Sequence, residues 1–201
     1  MKKLSLVAVL VAFAGVVMAQ GVEKKNEIGL GLGSNTFFNY PALSLFQDNQ
    51  PEYTSTAERI TYGHRTNNHM WGAVLDVNGA YTSQVAYNES VLGIGLSVMY
   101  RHYGQLGQHL EPYAGVKLGG SMLMNTYDIA EHGDVTRWGL IGGFELGLNY
   151  VFDNGNFLGI STSCEFMGSL SNDYELPLGT LKNERTGIFG YGLMITYGIR
   201  F

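Results

Sequence analysis

Three charged residues carry the clearest chemical potential in this chain: Glu145, Glu165 and Lys117. Glu145 and Glu165 flank an Asp-Asn-Gly turn at 153–155, so an antiparallel hairpin closing there places them side by side. Two adjacent carboxylates hold a shared proton more tightly than a lone one, as general acid–base catalysis requires. A lysine beside them would instead offset one of the two negative charges and stabilise the ionised forms. These residues are candidates for catalysis, for a solute path or for a buried charge network.

The histidines offer a second possible chemistry, which is metal binding. His64 and His69 fall near one predicted short turn, and His102 and His109 fall near another. No spacing of i, i+2 or i, i+4 is accompanied by a third ligand, as a zinc site would need. Solvated turn histidines are therefore preferred, and we expect no metal and no cofactor.

No nucleophile motif is present that would predict an enzyme. The chain lacks G-x-S-x-G and a His-x-Ser pair within one strand. Ser161 and Ser163 lie beside Glu165 in the alternation, but no histidine is predicted at their depth. The glycines of Gly29-x-Gly31-x-Gly33 have no phosphate-binding context. We expect no catalytic residues, so the protein is predicted not to be an enzyme.

The elements that position these residues are strands. Every second residue of 187–201 is a large apolar one from Phe189 onward, and the residues between them are mostly small or polar. A period of two places the two sets on opposite faces of a strand. Similar alternation recurs along the chain, without an amphipathic helical pattern. It predicts strands at 26–37, 55–65, 70–82, 90–103, 110–124, 136–152, 156–170 and 186–201. Short connections alternate with longer ones at 38–54, 83–89, 125–135 and 171–185, as in an up-and-down barrel.

The polar face of these strands decides between two kinds of barrel. In the sixth strand the outward candidates include Trp138, Phe144 and Tyr150, opposite Gly143 and Glu145. No charge is expected in the middle of any apolar set. A soluble barrel needs a charged outer face, whereas here the polar face is mostly Gly, Ser, Asn and Thr. The sequence therefore predicts an all-β fold: a single eight-stranded antiparallel transmembrane β-barrel with apolar side chains facing lipid.

The first nineteen residues are predicted to be a signal peptide, leaving a barrel domain at 20–201. Lys2 and Lys3 precede an apolar run that ends in Val17-Met18-Ala19, a pattern of secretory leaders. Without these lysines the formal charge of −5 becomes −7, which argues against nucleic acid as a partner. A single cysteine excludes an intramolecular disulfide.

On these features the chain resembles the small outer-membrane β-barrel proteins of Gram-negative envelopes, including porin-like barrel domains. The closing residues 197–201 carry the resemblance most directly, together with the leader and the hairpin spacing. It implies an outer-membrane location in contact with lipid and lipopolysaccharide. It also implies that Tyr197, Ile199 and Phe201 act as a signal to the barrel-assembly machinery during biogenesis. The family hosts stabilisers, adhesins, pores and lipid-modifying enzymes, so it does not fix the activity.

The predicted lumen contains equal numbers of acidic and basic residues. Lys117 is expected opposite Glu145, Glu145 beside Glu165, Arg101 across a short turn from Glu111, and Arg200 against Glu27. Because an eight-stranded lumen is narrow enough to be filled by side chains, a self-neutralising network is favoured over a solute path. The ten predicted lumen charges are Glu27, Arg59, Asp76, Arg101, Glu111, Lys117, Arg137, Glu145, Glu165 and Arg200.

The connection at 38–54 is the main candidate for interaction with a surface partner. It is longer than a hairpin needs and rich in large apolar residues. Mutual packing of this loop with the loop at 171–185 is favoured over ligand recognition. The predicted function is an integral outer-membrane protein with a structural or surface-interaction role, its surface partner unknown. The alternative is a narrow porin-like channel, and a lipid A-modifying enzyme is less favoured. The candidate loop residues are Tyr40, Leu43, Leu45, Phe46 and Tyr53.

Overall fold

The computed structural model describes residues 25–38, 53–83, 88–127, 135–169, 174–176, 179–181 and 187–201. No helix among these residues is long and apolar enough to cross a bilayer. The strands in the described ranges are β1 Asn26–Phe38, β2 Tyr53–Thr66, β3 His69–Ser83, β4 Asn88–Tyr103, β5 Leu110–Tyr127, β6 Val135–Val151, β7 Phe157–Ser169, β8 Tyr174–Leu176, β9 Gly179–Leu181 and β10 Gly187–Arg200.

Eight of these strands form one closed barrel. Strands β1 to β7 each pair antiparallel with their neighbours in the chain, and β10 completes the ring between β7 and β1. The eight-stranded up-and-down barrel is therefore confirmed, with every predicted strand end within three residues of its observed position. The predicted loop at 171–185 is the exception, because β8 and β9 form a separate two-stranded hairpin inside it.

Tight turns close the hairpins on one rim of the barrel. Asn67 begins the two-residue turn between β2 and β3 with φ of 53°, a left-handed conformation that asparagine tolerates. Gly155 adopts φ of 86° in the turn between β6 and β7. The chain end lies on the same rim, where the backbone of Phe201 exchanges two hydrogen bonds of 2.9 Å with Asn26. We call this the short-turn rim, and the opposite one the long-loop rim.

The strands are strongly staggered around the barrel. A path along hydrogen-bonded partners that leaves β6 at Leu148 passes through Leu32 and Glu58 and returns to β6 at Trp138. One circuit therefore climbs ten residues toward the long-loop rim, just over one residue per strand. Such a stagger requires strands tilted by about 40° to the barrel axis.

The two faces of the wall differ as the alternation predicts. Leu96 and Phe144 on the outside are 63% and 70% exposed, whereas Arg59 and Glu165 on the inside are each 4% exposed. A soluble protein rarely exposes so continuous an apolar surface to water. Because the hydrogen-bond ladder is closed, no strand edge is left unpaired within a membrane. The barrel is thus built to span a bilayer, with its charges hidden in the lumen.

One residue departs from that rule. Glu58 lies on an outward position of β2 and is exposed, paired in register with Leu32 and Val77. The expectation that no charge falls in the middle of any apolar set is therefore wrong for β2.

Candidate functional site

The centre of the lumen holds a six-residue charge cluster, the central network, formed by Arg59, Asp76, Arg101, Lys117, Glu145 and Glu165. Arg59 Nε donates to Asp76 at 2.5 Å, Nη1 to Glu145 at 2.6 Å and Nη2 to Glu165 at 2.8 Å. Lys117 Nζ lies 2.5 Å from Asp76 and 2.7 Å from Glu165. Because Arg59 extends from β2 to β6 and β7, the network bridges the barrel from wall to wall.

The central network is electrically balanced. Its three cations face three carboxylates, and Arg101 supplies the third cation through Nη2, 2.7 Å from Glu145 Oε1. A buried charge is tolerated only when it is paired and hydrogen-bonded. Every charge of this cluster is paired, and Glu145 Oε1, which is ion-paired with Arg101, is the one carboxylate oxygen among the described buried atoms that accepts no hydrogen bond.

A second cluster, the rim network, lies near the short-turn rim and consists of Glu27, Arg65, Glu111 and Arg200. Arg200 Nε is 3.0 Å from Glu27, and its Nη2 contacts Glu111. Arg65 donates two hydrogen bonds of 3.0 Å to the Glu111 carboxylate. This cluster is also neutral. Arg101 Nη1, 4.0 Å from Glu27, connects it to the central network.

The strand registers confirm one predicted pair and correct two. Arg200 is the register partner of Glu27, as predicted. Lys117 faces Gly143 rather than Glu145, and its amine reaches Asp76 and Glu165 instead. The expected contact between Lys117 and Glu145 was therefore wrong by two residues.

The other correction concerns Arg101 and Glu111, which do not pair across their short turn. In the register of β4 and β5, Arg101 lies opposite Gly115. This pair is two residues farther from the short-turn rim than the Tyr103–Tyr113 pair. Glu111 lies closer to the rim and binds Arg65 and Arg200. Glu145 and Glu165 lie on adjacent strands, as predicted, but they are not directly opposite: Glu145 faces Ser163 and Glu165 faces Gly143, so the two are diagonal neighbours.

Three members of the site were not predicted from the sequence. Arg65 belongs to the rim network, and its position six residues after Arg59 on the same face of β2 was the available signal. Tyr103 and Tyr113 are also buried in the lumen, with Tyr103 Oη 3.2 Å from Glu27 Oε1. Arg137, a predicted lumen charge, falls in β6, but its side chain lies outside the described residues.

Apolar layers seal the lumen above and between the networks. Toward the long-loop rim, Val91, Ile141 and Met167 pack together. A second apolar group lies between the two networks and comprises Met70, Val74, Met99, Tyr103 and Tyr113. A cavity beside Arg101, Lys117 and Glu145 measures about 10 Å³, room for roughly one water molecule.

The arrangement gives little support to the catalytic interpretation of Glu145 and Glu165. Glu145 is ion-paired with Arg59 and Arg101, and Glu165 is ion-paired with Arg59 and Lys117. Ser161 and Ser163 are buried nearby. Within the described part of the chain, no histidine lies among them, and no group of three His, Cys, Asp or Glu side chains could hold a metal ion.

The four histidines predicted at the short turns do lie on that rim. The Nδ1 atoms of His69 and His102 are 3.4 Å apart, and His69 Nδ1 also lies 2.6 Å from Tyr100 Oη. His64 contacts Asn26, and His109 contacts a backbone oxygen of β6.

The predicted assembly signal lies along the outward face of β10 and its end. Tyr197 is exposed on the outer face, and Asn156 Nδ2 donates a hydrogen bond of 2.9 Å to its hydroxyl. Ile199 and Phe201 are half-buried. Their role in assembly stays a prediction. The loop candidates Tyr40, Leu43, Leu45 and Phe46 lie outside the described residues, as does the side chain of Tyr53.

Comparison with solved structures identifies the fold. Neisserial surface protein A aligns with a TM-score of 0.60 at 16% identity, covering 88% of this chain and 97% of that one. The chain has the fold of the small outer-membrane β-barrels. Ail, the attachment invasion locus protein of Yersinia pestis, in complex with the heparin analogue sucrose octasulfate, aligns at 0.50 with 12% identity, covering 89% and 100%.

The outer-membrane protein AlkL also aligns, with a TM-score of 0.50 and 14% identity over 92% of this chain and 94% of that one. No protein-family model and no curated protein matches the chain. At these identities the similarity extends to architecture and not to activity.

Proposed function

We propose that this protein is an integral outer-membrane barrel whose lumen is structural and whose role is exercised through its surface loops. The observation that carries this proposal is the filled lumen. Arg59 alone joins three strands across the interior, and apolar groups lie above and below its network. An interior built this way stabilises the barrel and leaves the long-loop rim to meet partners.

The loops themselves favour one kind of surface partner over another. Residues 39–52, 84–87, 128–134 and 170–186 together contain eight acidic and two basic residues. Such a surface repels polyanions and suits a basic or neutral partner. The fold shared with Ail therefore does not carry over Ail's anionic ligand, sucrose octasulfate.

Loop excision tests the interaction role. Cells displaying the chain without residues 41–52 should lose attachment to surfaces coated with a basic protein, while a chain with residues 129–133 excised should keep it. Both variants must show the same heat-modifiable gel shift, which reports a folded barrel. Attachment that survives the first excision would exclude that loop as the binding element.

A narrow channel is the second candidate, because the lumen contains charged residues along its length. The proposal expects no single-channel conductance from the purified chain in planar bilayers, with a porin as positive control. Because Lys117 and Arg59 hold the same two carboxylates, Lys117→Met should also remain silent. Discrete conductance steps that change in Lys117→Met would establish the channel instead.

The proposal includes no catalytic activity. A lipid A-modifying enzyme would alter the lipid A mass spectrum of cells that express the chain. We expect the spectrum to be unchanged, and a new lipid A species would overturn that part of the proposal.

A further inference from the structure

Glu58 occupies a position that a lipid-facing carboxylate rarely takes. Among the Asp, Glu, Lys and Arg side chains that the structure describes in the barrel strands, Glu58 alone points outward. Along the hydrogen-bonded path around the barrel it stands four strands from Leu148 and four from Trp138. It therefore lies halfway up the ten-residue climb, near the middle of the bilayer.

The surface around Glu58 is also polar and unusually small. Ser34 on β1 and Thr54 and Thr56 on β2 are exposed at outward positions, and Gly79 lies beside Thr56 on β3. Elsewhere at this depth the exterior carries residues such as Leu118 and Phe144, 64% and 70% exposed. We call the surface formed by Ser34, Thr54, Thr56, Glu58 and Gly79 the polar strip.

The depth of Glu58 limits what can cover it. Lipid headgroups do not reach the middle of a bilayer, and acyl chains offer no hydrogen bond to a carboxyl group. No hydrogen bond or ion pair joins Glu58 to another described residue. Intramembrane ionisable residues generally face protein or water, and small side chains let membrane-embedded surfaces approach closely. A protein partner is the occupant that fits.

We propose that the polar strip is the interface of a symmetric dimer of this chain within the membrane. A twofold axis along the bilayer normal brings together residues of equal depth. Glu58 lies just over one residue above its register partner Leu32, and Ser34 lies two residues above Leu32 on β1. The Glu58 carboxyl group thus meets the Ser34 hydroxyl of the second copy at nearly the same depth, and the reverse contact follows by symmetry.

The chemistry of the strip is self-complementary in this arrangement. It supplies an acceptor at Glu58 and a donor at Ser34, while the Thr56 hydroxyl donates to the backbone oxygen of Gly79 at 3.2 Å. The reciprocal contacts place each Glu58 against Ser34 of the other copy rather than against the other Glu58. Since the interface lies on the barrel wall, it is independent of whatever the loops bind.

Cysteine pairing in liposomes tests the dimer directly. The exposed Cys164 is first replaced in Cys164→Ser. Chains carrying Ser34→Cys and Glu58→Cys are then co-expressed with different tags, purified from the membrane, reconstituted at low protein-to-lipid ratio and oxidised. We expect a mixed disulfide dimer. The matched control pair, Leu118→Cys with Phe144→Cys on the opposite wall, should cross-link at least tenfold less.

A second measurement separates the strip from chance collision. Glu58→Leu makes the exterior more apolar, so it should fold and shift on gels as the parent does. Its dimer fraction, measured by energy transfer on dilution in liposomes, should fall at least tenfold. A monomeric parent chain, equal cross-linking by the control pair, an unchanged dimer in Glu58→Leu, or capture of a different protein at position 58 would each overturn the proposal.

Discussion

Arg59 is the single residue that ties most of the lumen together. Its guanidinium binds three carboxylates on three strands, and its side chain is 3% exposed. The planar group presents donors in several directions at once, which a lysine could not do. Removing it would leave Asp76, Glu145 and Glu165 with only two cations in a space that water does not fill.

Arg59→Met should therefore destabilise the barrel by about 3–5 kcal/mol, the usual cost of an unpaired buried charge. Equilibrium unfolding in urea, with the barrel in lipid vesicles, measures this loss. The matched control is Arg65→Met, whose side chain is 15% exposed and whose partner Glu111 keeps Arg200. A loss in Arg59→Met no larger than in the control would show that the network contributes little.

Glycines in the lumen make room for the buried aromatic rings. A Cβ added at Gly198 would lie 2.0 Å from Cζ of Phe157, a ring that is 1% exposed. At Gly120 on the outer face, the nearest atom to an added Cβ is 3.9 Å away.

Gly198→Ala should cost about 1–3 kcal/mol through overpacking, while Gly120→Ala should be nearly neutral. A double-mutant cycle with Phe157→Leu checks the cause. If the clash with the ring is responsible, the penalty of Gly198→Ala should shrink in the Phe157→Leu background. An undiminished penalty would point to another origin.

At the scale of elements, β10 closes the barrel and ends it. Twelve register pairs join it to β1, and beyond them the backbone of Phe201 pairs with Asn26. The closing contact is therefore made by main-chain atoms, whereas the predicted assembly signal depends on the side chains of Tyr197, Ile199 and Phe201.

Phe201→Ala separates these two roles. The backbone pairing is kept, so the barrel that does form should unfold at nearly the same urea concentration. The predicted assembly signal includes this aromatic side chain, so the amount of folded barrel recovered from the membrane should fall several-fold. Leu158→Ala, an outward apolar change on β7, is the control and should not reduce the yield. Equal yields in both variants would remove Phe201 from the signal.

The barrel strands could be predicted from the sequence because the alternation of apolar and polar residues shows which face of a strand each residue occupies. Every barrel strand and the closing pair of Glu27 and Arg200 followed from it. The partners of Lys117 and Arg101 did not, because strand register depends on turn geometry, and a shift of two residues keeps a side chain on the same face. The hairpin of β8 and β9 was missed since three-residue strands leave too short a pattern.

At the scale of the whole molecule, the alternation reverses the arrangement of a soluble barrel: apolar side chains lie outside and charged ones lie in the lumen. Two neutral charge networks and two apolar layers fill the interior, and a lipid-matched exterior surrounds them. Phe144 provides a clean test of this orientation, because it lies six residues from Trp138 and six from Tyr150 on the outer face of β6, midway between the aromatic ends.

Phe144→Arg should cost about 2–4 kcal/mol in a bilayer, while Tyr150→Arg near the membrane interface should cost about 0–1 kcal/mol. In a water-exposed wall the two substitutions would cost similar, small amounts, since both side chains are on the surface. Unfolding in vesicles gives both values for the same strand, so differences in folding yield do not enter. Costs that are equal at the two depths would mean that the exterior of the barrel does not face hydrocarbon.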